Sequence, residues 1–260
     1  MKYDIKQGDC LELMRDIPDR SIDLILTDPP YLISKKSGFN GGGAWNNAED
    51  KRLQKTPPKT DFGEWDKKEI DFYKVFKEFY RVLKPSGTIV CFFDIWKMQY
   101  LKQIAEENKF KQFRLIRWDK TNPVPVNSKL NYLSNATEYA LTCVKGGKPT
   151  FHSEYNPGIF KYPICSGKER TEHPTQKPVS LMRDLLDIHT NEGGTVLDAF
   201  MGSGSTGVAC IHTNRNFIGI ELDENYFKIA KDRIESELNN IPYVKNDIHT
   251  DTKNEKVILF

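Results

Sequence analysis

No two cysteines of this chain stand at CxxC spacing. Cys10, Cys91, Cys143, Cys165 and Cys210 are scattered, which suggests neither a zinc knuckle nor a disulfide framework and leaves them as small core residues. No apolar run approaches the roughly 20 residues of a membrane span. The opening MKYDIKQGDC has no basic segment followed by an apolar core and a small-residue cleavage site, so the expectation is a cytoplasmic protein with no membrane partner. A strong charge of one sign is missing too, since a net charge of +2 does not by itself announce a polyanionic ligand. No internal repeat is visible. What remains is a 260-residue chain, 38% hydrophobic and 28% charged, able to bury one substantial core.

Strand-like and helix-like segments alternate in the manner of parallel βα units. Leu24 to Thr27 reads as a short buried strand. Residues 33 to 66 follow, too long and too rich in Gly, Pro and Lys for a tight connection. Phe72, Val75, Phe76, Phe79, Val82 and Leu83 then recur at helical spacing, and KPSG stops that helix before the strand TIVCFF. A polar helix near 97–107 and the strands FRLIRW and EYALTCV complete the first half, while 145–172 looks irregular and basic. A second βα region runs from GTVLDAF through a glycine turn and helix to NFIGIEL, followed by a helix over 225–238. The expectation is a single α/β domain over 1–240 and a polar tail over 241–260. Lysines and arginines crowd 35–59 and 161–183 with aromatics between them. Such patches suit phosphate contacts or simply solvated loops.

Two constellations carry chemistry. The first is VLDAFMGSGSTG followed by FIGIELD. Gly202 and Gly204 let the backbone turn sharply and approach a ligand, the next helix offers free N–H groups, and Glu221 ends the following strand where ribose hydroxyls would be accepted. A nucleoside-containing cofactor is implied. Gly202, Gly204 and Gly207 also satisfy GxGxxG, so an NAD enzyme stays open, whereas the absence of a lysine excludes a P-loop.

The second is LTDPPY. A strand ending in Asp28 and capped by Pro29 and Pro30 presents a carboxylate and a fixed carbonyl beside the ring of Tyr31. Two acceptors and a stacking surface suit a planar group bearing an NH₂. The exocyclic amine of adenine or cytosine is a poor nucleophile because its lone pair is delocalised. Holding both its hydrogens favours the more tetrahedral nitrogen that attacks a methyl group. Stacking on Tyr31, worth about 1–3 kcal/mol, would offset much of the few kcal/mol that extruding a base costs.

With both constellations in view the chain resembles the amino-group DNA methyltransferases that use S-adenosylmethionine, in their permuted β class, where DPPY (Asp28 to Tyr31) precedes the cofactor motif DAFMGSGST (Asp198 to Thr206). The resemblance spans about residues 3 to 238. It implies that QGDCLELM brings Asp9 and Cys10 to the cofactor adenine, and that HPTQKP brings Thr175, Gln176 and Lys177 towards its methionine end. It further implies that Asp198, Phe200, Met201, Gly202, Ser203, Gly204, Ser205, Thr206, Glu221 and Leu222 surround the cofactor, with Asp28 touching it from the catalytic side. WDKTNPVP to NATEYAL resembles the segment that helps form the target-base pocket.

The fold this implies is a doubly wound, mostly parallel seven-stranded sheet with helices on both faces, carrying insertions 33–66 and 145–172 as target-recognition loops. Aspartate in DPPY leans towards N6-adenine, since N4-cytosine enzymes more often carry serine there. Direct methyl transfer requires no metal. Members of the class often dimerise and many accompany a restriction endonuclease, but neither follows from these residues. Three other readings stay open: an NAD oxidoreductase, which leaves DPPY and HPTQKP without a role; an RNA or protein methyltransferase, in which the cofactor motif usually comes first; and a non-enzymatic DNA-binding module, which leaves the cofactor site idle.

Overall fold

The computed structural model describes residues 2–30, 70–123 and 136–240. The insertion 33–66, Tyr31 of the catalytic motif and the tail 241–260 lie outside the described residues. The strands are β1 (Tyr3–Gln7), β2 (Ile22–Thr27), β3 (Leu83–Phe93), β4 (Lys111–Lys120), β5 (Thr137–Val144), β6 (Ile159–Tyr162), β7 (Thr195–Asp198) and β8 (Asn216–Glu221). The helices are α1 (Cys10–Leu13), α2 (Phe72–Val82), α3 (Met98–Glu107), α4 (Val179–His189), α5 (Ser205–His212) and α6 (Glu224–Leu238). Among the described residues all the strands join one sheet, ordered β1-β8-β7-β2-β3-β5-β4-β6. Only β5 runs antiparallel to its neighbours, against β3 and β4. No helix among the described residues is long and apolar enough to cross a membrane.

The sheet is mostly parallel and doubly wound as expected, but it has eight strands rather than seven. The two that composition hid are edge strands. In β1, YDIKQ, no residue is fully buried, and the two alternating apolar residues, Tyr3 and Ile5, are too few to mark a strand. In β6, IFKY, only Phe160 is buried, and it sits inside the stretch 145–172 that reads as irregular. Tertiary bonds hold it there. The Trp118 indole N–H donates to the Tyr162 carbonyl at 2.9 Å, and β6 pairs parallel with β4 from Arg117↔Ile159 to Lys120↔Tyr162.

The α2 helix ends at Val82 and β3 begins at Leu83, so Leu83 and KPSG, read as helix and stop, lie within the strand, where parallel pairing with β2 from Ile22↔Leu83 holds them. The α2 helix starts where the Asp71 carboxylate accepts the Lys74 N–H, and its buried stripe is Phe72, Val75, Phe76, Phe79 and Val82. At about 1.5–3 kcal/mol for each large apolar side chain, that stripe is worth on the order of 10 kcal/mol before entropy is subtracted. Central β2 is buried on both faces, as an interior parallel strand should be. Ile25 joins the core beneath α1, α2 and α3, while Leu24 and Leu26 join the core beneath α4, α5 and α6.

That split positions the site. From β2 the chain crosses over through α2 on one face to β3, and from β7 it crosses through α5 on the other face to β8. The two crossovers depart from neighbouring strands in opposite directions, which opens a crevice at the carboxyl ends of β7 and β2, the place where open α/β sheets bind ligands.

Candidate active site

Three acidic residues stand at the carboxyl ends of three adjacent strands: Glu221 on β8, Asp198 on β7 and Asp28 directly after β2. Residues 171 positions apart meet here. The Thr27 hydroxyl donates to Asp198 Oδ1 at 2.7 Å, within the protein interior. This bond joins the strand end that carries DPPY to the strand end that opens the glycine turn.

On the β7–β8 side the turn is assembled from backbone. Gly202 and Gly204 adopt φ of 51° and 79°, the left-handed region that costs other residues about 1–2 kcal/mol. Asp198 holds the turn from within, accepting Thr206 Oγ1 at 2.6 Å and the Phe200 N–H at 3.2 Å besides Thr27. Burial pushes its carboxyl up to about 6. Glu221 accepts the Gly202 N–H and the Asp223 N–H, both at 2.8 Å, and burial pushes it up to about 7. The Gly8 N–H donates to the Glu221 carbonyl at 2.8 Å, which sets Asp9 and Cys10 beside the end of β8. Asp9 caps α1 through the Leu11 N–H, and the Cys10 thiol is pushed up to about 12 by burial, with Asp9 adding to the effect. No side chain caps the N-terminus of α5, so its first N–H groups face the turn. A Cβ at Gly202 would stand 2.8 Å from His173 Nε2, so a side chain there would have to displace the imidazole. The donor set suits a nucleoside bearing a carboxylate: an acid for hydroxyls, amides for an anion and a cradle without side chains. Among the described residues no group of three or more His, Cys, Asp or Glu is disposed to hold a metal ion.

On the β2 side the partners are charged. The Lys177 ammonium contacts Asp28 Oδ2 and stands 3.0 Å from Glu138 Oε2. Lys120 approaches the other oxygen of Glu138 at 2.7 Å. Lys177 is only 4% exposed and lies 5.1 Å from the Phe92 ring centroid. Burial would push that ammonium down, but Asp28 and Glu138 outweigh it and hold it above the ordinary lysine range. Burial would likewise raise Glu138, and Lys177 and Lys120 outweigh it, holding the carboxyl below its ordinary range. The loop bearing Lys177 is itself pinned: Gln176 Oε1 accepts Thr171 N–H and Oγ1 at 2.9 and 2.8 Å, its amide donates to the Glu169 carbonyl at 2.7 Å, and the Glu169 carboxylate caps α4 through the Val179 N–H at 2.8 Å.

A family model described as DNA methylase matches residues 22–232 of this chain. The chain belongs to this family. The Type II methyltransferase M2.MboI of Moraxella bovis is 31% identical over 250 residues, covering 89% of this methylase and 87% of the relative. Among solved structures, the M1.HpyAVI–SAM complex is 32% identical with a TM-score of 0.66, covering 89% of this chain and 99% of that one. The PvuII cytosine-N4-specific methyltransferase reaches a TM-score of 0.68 over 92% of each chain at 19% identity, a likeness of fold alone.

Within the methylase the residues singled out by sequence fall into three groups. Asp28, Pro29, Asp198, the turn from Phe200 to Thr206, Glu221, Asp9 and Cys10 converge on the β8-β7-β2 strand ends. Lys177 also converges there, but its ammonium is committed to Asp28 and Glu138 rather than to the glycine turn. Thr175 and Leu222 are exposed, with the Leu222 carbonyl accepting from Gln7. His173 lies against Gly202 and packs on Tyr226 with ring centroids 4.5 Å apart. Burial, with Lys177 and Arg170 adding to it, holds that imidazole down at about 3, hence neutral.

Sequence reasoning missed Thr27, Glu138 and Arg233. The last is buried and donates to the Ser203 carbonyl at 2.6 Å, clamping the glycine turn from α6. A charge on the apolar stripe Ile229, Ala230, Ile234 was the available signal, as was an acid opening the otherwise apolar strand β5.

Proposed function

We propose that this methylase transfers the methyl group of S-adenosylmethionine to the N6 amine of adenine in DNA, with the target base extruded from the helix. The observation that carries the reading is the Thr27–Asp198 hydrogen bond, which sets the acceptor site for an amine beside the turn suited to a nucleoside cofactor. The cofactor supplies an electrophilic methyl group on a positively charged sulfur. Glu221 would accept its ribose hydroxyls, Asp9 and Cys10 would flank its adenine, and the glycine turn with the open α5 N-terminus would face the rest of it. Asp28 and the Pro29 carbonyl would accept the two amine hydrogens, which concentrates electron density on nitrogen and stabilises the positive charge it gains as the new bond forms. Tyr31 would stack on the base.

Aspartate in the catalytic motif favours adenine. The N4-cytosine enzyme of the same fold shows that this architecture also serves the other amine, so cytosine is the second reading. The stretch 145–172, with β6 at the sheet edge, and the insertion 33–66 are assigned to DNA recognition. A companion restriction endonuclease is supported by the Type II name of the relative, and a homodimer by the family resemblance alone. Methyl-labelled S-adenosylmethionine, unmethylated DNA and digestion to nucleosides test the reading by mass spectrometry. Label in N6-methyladenine is expected. Label in N4-methylcytosine would keep the mechanism and reverse the base, and absence of label from DNA would overturn the proposal.

A further inference from the structure

Lys177 is charged and buried, and its ammonium is committed to Asp28 and Glu138 rather than to the cofactor contact that sequence assigns it. A buried ion pair is a poor device for stability, because apolar residues of similar volume do as well or better. Yet the methylase builds a chain of alternating charge, Asp28, Lys177, Glu138 and Lys120, from the end of β2 across β5 to β4. It also fixes the lysine backbone by tying Gln176 to Thr171 and Glu169 on one side and Glu169 to Val179 on the other. This investment ends on the carboxylate that the proposed chemistry needs.

We propose that Lys177 is the positioning residue of the catalytic carboxylate, clamped against Asp28 by Glu138 so that Asp28 keeps one orientation and presents acceptor oxygens only. The role rests on the amine-methylating reading of the site and deepens it. Its physical need comes from Asp198. Asp28 follows Thr27, which bonds Asp198, and the Asp28 charge adds to the burial that raises Asp198; like charges in one site favour a proton on one of them. A protonated Asp28 would offer a hydroxyl where the amine needs an acceptor. The ammonium removes that conflict while leaving the neutral-donor contacts of Asp198 intact. Glu138 in turn backs the lysine from its other side at 3.0 Å, and Lys120 keeps Glu138 ionised. The groups facing this carboxylate are thus Lys177 from the loop before α4, Glu138 on β5 and Lys120 on β4 beyond it, Asp198 on β7 and the Cys91 thiol on β3, with His173 facing the lysine.

The test uses the full chain, DNA and labelled S-adenosylmethionine, comparing wild type with Lys177→Gln and Lys177→Arg. Lys177→Gln is expected to lower kcat by about a hundredfold while the cofactor Kd stays within about threefold. The acid limb of the kcat profile should move up by about one pH unit or more, as follows when a carboxylate loses an adjacent cation. Lys177→Arg, which keeps the charge, should restore the wild-type acid limb with part of the rate. If Lys177→Gln does not fold, the double variant Lys177→Gln/Glu138→Gln, which removes one charge of each sign, carries the same expectation. A kcat within threefold of wild type overturns the role. So does a tenfold loss of cofactor affinity with an unmoved acid limb, which would make Lys177 a cofactor ligand instead. Wild-type protein that leaves DNA unlabelled would overturn the amine-methylating reading itself, and this role with it.

Discussion

The carboxylates on the two sides of the crevice are held in opposite ways. Asp198 and Glu221, at the ends of β7 and β8, are bonded by hydroxyls and backbone amides, and burial pushes them up to about 6 and about 7. Asp28 and Glu138, on the β2 and β5 side, are bonded by ammonium groups, and Glu138 is held below its ordinary range. Neutral donors shape a carboxylate without committing its charge. Cations commit it. On the proposed reading, the side that would receive the cofactor is therefore poised to change protonation when a ligand arrives, and the side that would hold the reacting amine is kept as an acceptor. Divergent environments of this kind separate the roles of acids within one site.

The sharpest way to break the comparison is to remove the acceptor. Asp28→Ala is expected to lower methyl transfer by about a thousandfold or more, at the upper end of what one preorganised electrostatic contact supplies. Cofactor Kd by calorimetry should stay within about threefold, because Glu221 and the glycine turn are untouched. Retained activity in this variant would remove the charged side from the chemistry.

The neutral side is probed by pH. A carboxyl raised to about 7 is largely protonated at pH 6, and ribose hydroxyls donate best to the ionised form, so cofactor binding should expel a proton below pH 7. The affinity is expected to rise by up to about fivefold from pH 6 to 7 and about tenfold by pH 8, where it begins to level off. Titrations in buffers of different ionisation enthalpy should show the proton released. Glu221→Gln should weaken binding by about tenfold or more, roughly the net worth of one charge-assisted hydrogen bond, and flatten this dependence. The stability of the free protein runs the other way. A carboxyl whose folded value lies above its unfolded one favours the fold less as pH rises from about 4.5 to 7, so Glu221→Gln should also reduce the fall in Tm across that window. An unchanged affinity for the variant would take Glu221 out of the site.

Much of this was legible in the residues because local and tertiary demands coincide there. Asp28 and Glu221 could be placed at strand ends since the apolar runs before them have no other reading, and the α2 stripe needs only its own spacing. What was not legible depends on partners distant in sequence. Lys177 reads as a cofactor contact from HPTQKP, and only the fold brings Asp28 and Glu138 to it across 149 and 39 positions. The β6 strand is invisible in IFKY because β4 supplies the pairing. Asp198 carries an acid's name, but two threonines 27 and 206 consume its oxygens, and neither announces itself among the polar residues nearby.

Backbone geometry offers the finest test of how the neutral side is built. Gly204 and Gly193 have nearly equal φ, 79° and 75°, so alanine at either meets the same left-handed cost of about 1–2 kcal/mol. Their surroundings differ. A Cβ at Gly193 meets nothing within 4 Å, whereas one at Gly204 would stand 3.0 Å from Ala230 Cβ and 3.1 Å from its Cα, on the helix that also sends Arg233 into the turn. Gly193→Ala should therefore lower stability by about 1 kcal/mol and leave cofactor affinity unchanged. Gly204→Ala should cost about 1–3 kcal/mol more, the usual range for overpacking, and weaken the cofactor as α5 and α6 part. Equal denaturation midpoints for the two variants would mean that α6 yields freely, and that the turn is shaped by Asp198 and Glu221 alone.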